Sequence, residues 1–472
     1  MSFNSVDELL SAIQAENGGR DAIDPATGEV IASVPVATAE ELEDAVNRAE
    51  AAQVDWAKLS HAQRSDYLNK AADAIEAAAE PLAVLLSREQ GKPLNGPNAR
   101  FEVGACAAWL RANAAFELEP EVIVEDDNVR SEMHYDPIGI VGAISPWNWP
   151  MMISIWQWAP SLRMGNTVVA KPASSTTLSV LGLAAVMNEV LPADVLNVVP
   201  ANSKVGAALS SHPKIGKVMF TGSTEVGKIV ARDAADSIAR LTLELGGNDA
   251  GIVLPGTDVK AIAEGLFWGA FINTGQTCAA LKRLYVHEND YDAAVEALVE
   301  VAKNMPMGNG LDEQNVLGPL QNKGQYEVVS KLVEAARESG ARIALGGNPD
   351  ENQPGYFYPT TIVADIDNDN PLVAEEQFGP ALPIIKYSDV DQAIEWANGV
   401  DVGLGSSVWG TDTAAAVEVA KRLEAGTTWI NGHGGVDPRI PFGGAKSSGY
   451  GLEFGADGLK AVAQPHVITV NK

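Results

Sequence analysis

Six consecutive residues, Asn273-Thr274-Gly275-Gln276-Thr277-Cys278, end on one of the chain's two cysteines. They follow an apolar run, residues 265–272. A glycine shortly before a thiol frees the backbone to present the sulfur at a turn instead of on a helix face. A free thiol has a pKa of about 8.5, so near neutrality only a few per cent is thiolate without help from N–H groups, a helix N-terminus or a base. On composition alone the plainer role is the stronger, because most lone cysteines are small buried hydrophobes. Two other polar residues stand in patterned surroundings, Asn148 between Trp147 and Trp149 and Glu244 before Gly246-Gly247; taken singly, the first suits a turn and the second a helix cap.

The chain that must position them has 472 residues, enough for about three domains, or two with an appendage. It can bury a large core without staples. Two cysteines make neither a disulfide framework nor a zinc set, which points to a reducing compartment. The six histidines show no metal-ligand spacing, so no metal is expected. A net charge of -29 argues against nucleic acid, whose phosphates it would repel, and accords with solubility. Residues 1–8 lack a basic stretch leading into an apolar one, and no apolar run approaches the roughly 18 residues of a membrane span. A soluble cytoplasmic protein is the expectation.

Residues up to Gly28 read as an extended arm ending in the turn Asp24-Pro25-Ala26-Thr27-Gly28. Thr38 with Glu41 and Ser60 with Gln63 read as capping boxes opening two helices, and a third helix stops at Gly91. Phe101, Ala105 and Trp109 mark one face of a further helix, on which Cys106 is filler. Residues 121–135 read as a hairpin around Glu125-Asp126-Asp127-Asn128. From Ile138, strands (138–144, 167–171, 196–199, 217–220, 241–245) alternate with helices (151–163, 178–190, 204–210, 224–234). That alternation predicts a parallel sheet with crossover helices. A second alternating series runs from Ile252 past Ile430, broken at 305–310 and 348–359, and the tail ends in a strand at 467–470.

A parallel sheet suggests a nucleotide site at the carboxyl ends of its strands, yet GxGxxG is absent. Gly449-Tyr450-Gly451 with Gly455 has the wrong spacing and follows no predicted strand, so it reads as a loop. Phe220-Thr221-Gly222-Ser223 does follow one; its glycine and hydroxyl open a helix whose free N–H groups suit a phosphate, or Ser223 is only an N-cap. Together with Pro146-Trp147-Asn148-Trp149-Pro150, Lys171-Pro172-Ala173, Glu244-Leu245-Gly246-Gly247, Gly275-Gln276-Thr277-Cys278, Glu376-Gln377-Phe378-Gly379-Pro380 and Pro441-Phe442-Gly443-Gly444, it makes seven motifs in order. Together they resemble the NAD(P)-dependent aldehyde dehydrogenase superfamily over nearly the whole chain, from about Asp24.

The resemblance implies an α/β fold: a Rossmann-like cofactor domain (1–118 and 137–246), an α/β catalytic domain (247–447) and a small β oligomerisation flap (119–136 and 448–472). It implies Cys278 as nucleophile, Asn148 with the Cys278 N–H as oxyanion donors, and Glu244 as base for thioester hydrolysis. By the same resemblance Lys171 meets the adenosine ribose, Gly222 and Ser223 the pyrophosphate and Glu376 the nicotinamide ribose, with Phe378 and Trp147 near the nicotinamide. Ser174 stands where NAD-preferring members commonly carry Glu, so NADP is expected to serve at least as well as NAD. Pro200-Ala201 departs from the family's usual Pro-Gly, with no consequence assigned. Trp149, Ile153, Trp156, Ile272 and Phe442 are the implied tunnel for an aromatic or medium-chain apolar aldehyde. Arg439 leaves open an acidic semialdehyde such as succinate semialdehyde, or simply faces solvent. A homodimer or homotetramer is implied. A CoA-acylating relative, a cysteine hydrolase and a catalytically silent relative are the rival readings; Asn148, Glu244 and Cys278 argue against silence.

Overall fold

The computed structural model describes residues 3–16, 18–350 and 352–472. Met1 and Ser2, part of the N-terminal stretch read for a leader, lie outside them. Helices in the first quarter begin where the sequence supplies caps. Thr38 and Glu41 form a reciprocal capping box for helix Ala39–Trp56, as do Ser60 and Gln63 for helix His61–Ala77. Helix Ala79–Gln90 ends on Gly91 at φ 93°, a left-handed cap. The N-terminal arm is not simply extended. Ser5 caps helix Val6–Ile13, whose Leu9, Leu10 and Ile13 are buried against helix Thr177–Asn188. That tertiary burial makes eight residues helical where local signals are weak. The turn at Asp24 does form, with Gly28 N–H donating to the Asp24 carbonyl at 2.8 Å between paired strands Arg20–Ile23 and Val30–Val34.

The alternation after Ile138 builds a six-stranded sheet. Its order is Gly449–Tyr450, Arg240–Glu244, Ile215–Thr221, Ile140–Ile144, Thr167–Lys171, Leu196–Val198, and every pairing except the first is parallel. Helices cover the faces, so Ile140–Ile144 is buried throughout, the continuous apolar strand of a parallel sheet. Gly449–Tyr450, expected as loop, is an antiparallel edge strand. A Cβ on Gly449 would lie 1.8 Å from the Leu243 carbonyl oxygen, so glycine is what lets this short strand close on its neighbour.

Seven strands form a second sheet, in the order Arg342–Leu345, Thr361–Ala364, Ala381–Tyr387, Leu281–His287, Asp249–Val253, Gly405–Trp409, Thr427–Ile430. Only the first pairing is antiparallel. The tail is a longer strand than expected, Ala463–Asn471, and it joins the hairpin Glu121–Glu125 and Val129–Pro137 in an antiparallel ribbon. Asn166 fastens ribbon to sheet: its buried amide accepts from the Ile138 and Gly139 N–H groups and donates to the Ser161 and Val462 carbonyls.

Register decides what the first sheet presents. Ile144 pairs with Lys171 and Phe220, and Thr221 with Glu244, so these carboxyl ends line one edge. The segments holding Asn148, Ser174, Ser223 and Gly246 all leave from that edge. Among the described residues no helix is long and apolar enough to cross a membrane, and no three His, Cys, Asp or Glu residues group as a metal site.

Candidate active site

Helix Val259–Phe271 stops short of the thiol, and the chain turns tightly through Ile272–Gly275. Asn273, Thr274 and Gly275 have φ of 50°, 57° and 76°. A left-handed conformation costs a non-glycine residue about 1–2 kcal/mol, so neighbours must hold it. Asn273 Nδ2 donates to the Asn148 carbonyl at 2.8 Å. Thr274 Oγ1 bonds both the carbonyl and the N–H of Gly318, at 3.1 and 3.0 Å. The buried Gln276 amide donates to the Asn273 carbonyl and accepts from the Gln321 N–H. Gly275 has no room for a side chain, since a Cβ there would lie 2.3 Å from the Gly379 carbonyl oxygen.

The Asn148 side-chain amide donates to the Gln276 carbonyl at 3.0 Å, which sets it against the main chain of the thiol loop. Behind it lies a fully buried ion pair. Lys92 Nζ reaches Glu102 at 2.5 Å and the Asn148 carbonyl at 2.9 Å, while Glu102 accepts from the Met151 and Met152 N–H groups. Burial pulls the Lys92 ammonium down to about 8.

Cys278 is a free, partly buried thiol on the wall of a cavity of about 750 Å³. Trp149, Ile153, Trp156, Ile272 and Phe442, the five residues expected to line a tunnel, are all on that wall, as are Phe101 and Trp109. Trp158 is core, and Cys106 is completely buried. Arg439 is not on the wall; its side chain is 78% exposed and paired with Asp437 at 2.6 Å, so it faces solvent.

Burial pushes the Cys278 thiol up to about 12; Lys282 pulls it down, while Glu244, Asp249 and Glu376 push it further up. Glu244 closes its strand and caps no helix. Both its carboxylate oxygens are buried without a hydrogen-bond partner. Burial and then the neighbouring Glu453 carry its pKa well above the usual 4.5. Glu453 is raised by burial too, against the pull of Lys217, whose Nζ donates to Thr242 Oγ1 at 2.7 Å.

The cofactor candidates fall into two groups. Lys171, ending its strand, and the exposed Ser174 lie beside the Arg20 guanidinium, which donates to the Ser174 carbonyl. Ser223 caps helix Thr224–Ala235 directly after Gly222, so both its helix-cap and phosphate readings remain compatible with its position. Nearer the thiol, Glu376 pairs with Lys282 at 2.9 Å, and Phe378 meets Trp147 edge-on with ring centroids 5.4 Å apart. A Cβ on Gly246 would lie 2.7 Å from Glu376 Oε2, so the bare backbone makes that approach possible. Strand ends, a capped helix N-terminus and a carboxylate beside an aromatic pair fit a nicotinamide dinucleotide.

Sequence reasoning missed Lys92, Glu102, Lys217, Glu453 and Lys282. Only Lys282 left a local signal, because Lys282-Arg283 interrupts the apolar strand Leu281–His287 with charge at buried positions. The others meet across 10 to more than 200 residues, where no spacing rule operates.

A family model described as the aldehyde dehydrogenase family matches residues 13–468. A phenylacetaldehyde dehydrogenase of Pseudomonas fluorescens is 39% identical over 449 residues, covering 92% of this chain and 89% of that protein. An NAD+ complex of an aldehyde dehydrogenase from Bacillus cereus superposes with TM-score 0.92 at 35% identity, over 97% and 96% of the two chains. An NADP-dependent enzyme of E. coli superposes with TM-score 0.93 at 33% identity, over 98% and 96%.

Gly275→Ala is expected to cost about 2 kcal/mol or more, because it adds a left-handed penalty to a backbone clash. Denaturant midpoint and the alkylation rate of Cys278 would both move; a variant with neither changed would show that the turn tolerates a side chain.

Proposed function

The chain belongs to the aldehyde dehydrogenase family and is an NAD(P)-dependent enzyme that oxidises aldehydes, and on that premise we propose how its residues divide the work. The Cys278 sulfur, its proton passed to water, bonds to the aldehyde carbon, and the carbonyl π pair moves to oxygen. The Asn148 amide and the Cys278 N–H donate to that oxyanion. A nicotinamide held by Glu376, Phe378 and Trp147 would supply the hydride acceptor for the step in which the carbonyl re-forms. Glu244 then takes a proton from water as its oxygen attacks the thioester, and the carbon–sulfur bond breaks to release the acid. What carries this reading is the junction of the Asn148 amide with the thiol loop through the Gln276 carbonyl, at the wall of an apolar cavity and within range of the Glu244 charge.

A substrate with an aromatic or medium-length apolar body suits the cavity, whose walls carry no Lys, Arg, Asp or Glu among the described residues. The Pseudomonas relative's aromatic aldehyde points the same way. NADP is proposed to serve at least as well as NAD. Ser174 adds no carboxylate to repel a 2′-phosphate, and two cations, Lys171 and Arg20, stand near it. Lys171, Ser174, Gly222 and Ser223 would hold the adenosine and pyrophosphate side, Glu376, Phe378 and Trp147 the nicotinamide side. We divide the chain accordingly into a cofactor domain (1–118 and 137–246), a catalytic domain (247–447) and oligomerisation elements (119–136 and 448–472). Unbridged Cys106 and Cys278 support a reducing, cytoplasmic setting. The ribbon exposes Val122, Ile123, Val124, Val467, Ile468 and Val470, apolar surface that a second copy of the chain would cover.

Reduction of nicotinamide should be measured with benzaldehyde, a medium-chain aldehyde and succinate semialdehyde, with NAD and NADP separately. Wild type is expected to act on the apolar aldehydes and Cys278→Ala on none. A clear NAD preference in kcat/KM would overturn the cofactor proposal, and equal or better use of the semialdehyde the substrate proposal.

Glu244 acts as a base only when ionised, so hydrolysis should fall as pH drops through its raised pKa, well above 4.5. Glu244→Gln should keep a first-turnover burst of reduced nicotinamide while steady turnover falls roughly 10²–10⁴-fold. Burst and steady rate lost in equal measure would refute a role confined to hydrolysis.

Light scattering should return a dimer or tetramer mass. A monomer at micromolar concentration would remove the ribbon's assigned role.

A further inference from the structure

Lys282 is the second residue of strand Leu281–His287, four residues after Cys278, and its side chain is 1% exposed. An ammonium has three donors, and here all three are spent inside the site. Nζ donates to the Thr277 carbonyl at 2.8 Å, the Cys278 carbonyl at 3.1 Å and Glu376 Oε1 at 2.9 Å. Its own carbonyl accepts from the Gln377 amide at 3.1 Å, and the Phe378 ring centroid is 5.3 Å from Nζ. One residue, through its cation and its carbonyl, therefore touches Cys278, the residue before it and three consecutive residues of the opposite loop.

We propose that Lys282 is a positioning residue that locks the thiol loop to the Glu376 loop and favours the thiolate of Cys278. The inference rests on the reading of Cys278 as nucleophile and Glu376 as nicotinamide-ribose ligand. Its physical basis is the set of charges around the sulfur. Glu244 arrives from strand Arg240–Glu244, Asp249 from strand Asp249–Val253 and Glu376 from the loop after Pro371–Ala374. All three oppose a negative sulfur, and Lys282 is the cation that offsets them. Its hydrogen bonds to two successive carbonyls also hold the loop rigid. Glu376, freed from its partner, would keep a partly buried charge with no fixed direction.

The test is the alkylation rate of Cys278 by iodoacetamide at pH 9 on the full chain without cofactor, read by peptide mass spectrometry to separate it from buried Cys106. Below the thiol's pKa the rate follows the thiolate fraction, partly offset by higher nucleophilicity at higher pKa. Lys282→Met is expected to slow alkylation roughly three- to tenfold, and Glu376→Gln to speed it. Lys282→Arg should recover most of the wild-type rate. In turnover, Lys282→Met should lower kcat about tenfold and raise the cofactor KM, with the aldehyde KM little changed. A merely structural lysine predicts the opposite sign, because a loosened loop exposes the sulfur and both variants then alkylate faster. An unchanged or faster rate in Lys282→Met overturns the proposal. If that variant does not fold, Glu376→Gln and Glu376→Asp decide, since Glu376 is 26% exposed: the proposal speeds alkylation only where the charge is removed, a loosened loop speeds it in both, and equal acceleration or none overturns the proposal. Alkylation requires neither aldehyde nor nicotinamide. A wild-type chain that oxidises nothing would therefore defeat the functional reading separately from this one.

Discussion

Three successive left-handed residues, Asn273, Thr274 and Gly275, hold the thiol loop in a shape it would not adopt alone. The cost is met by bonds between Asn273 and Gln276 within the loop and by polar contacts from elsewhere in the chain: Asn148, Gly318 and Gln321. Each of those is itself fixed by its own surroundings. Asn148 is held through Lys92 and Glu102, and Gln321 reaches the Glu89 and Ser175 carbonyls. The sulfur's position is thus set by elements that join both sheets, and it is lost if any of them is displaced.

The electrostatics have the same distributed character. A thiol and a carboxylate buried side by side both resist ionisation, and for each the first cause is the same loss of water. This raises the basicity of Glu244 toward that of its proton donors, which is what an acid–base partner needs. The site contains cations as well, Lys92, Lys217 and Lys282, each buried and each bonded to a neutral oxygen or a carboxylate. Such pairing compensates these ammonium groups for the water they lose, whereas the buried Glu244 carboxylate has no hydrogen-bond partner and stays harder to ionise.

Much of this was legible beforehand, for identifiable reasons. Capping boxes at Thr38 and Ser60 and the stop at Gly91 are local chemistry, and they appear where the residues demand them. Strand Thr167–Lys171 and helix Thr224–Ala235 follow from continuous apolar runs and from the glycine-hydroxyl pair at 222–223. The readings that failed depend on distant partners. Helix Val6–Ile13 exists because Leu9 and Leu10 find a core, and Gly449–Tyr450 becomes a strand because Leu243 lies beside it. Phe101, chosen as part of a helix face, is half exposed because that face borders the cavity and not the core. Glu453 approaches Glu244, and Lys217 approaches Glu453, only after the sheet has formed, so no window of sequence could pair them.

Five of the chain's ten tryptophans, Trp109, Trp149, Trp156, Trp268 and Trp409, line the cavity beside Cys278. Trp147 stands against Phe378, and neither is on the cavity wall. The protein's ultraviolet emission is therefore weighted toward the interior of its own site. A guest entering the cavity displaces water from indole faces and shifts their emission to the blue. A reduced nicotinamide bound beside Trp147, as proposed above, would drain excitation from it by resonance energy transfer. The molecule thus carries two built-in optical channels, one in the cavity and one at the Trp147–Phe378 pair, and neither requires a dye or a label.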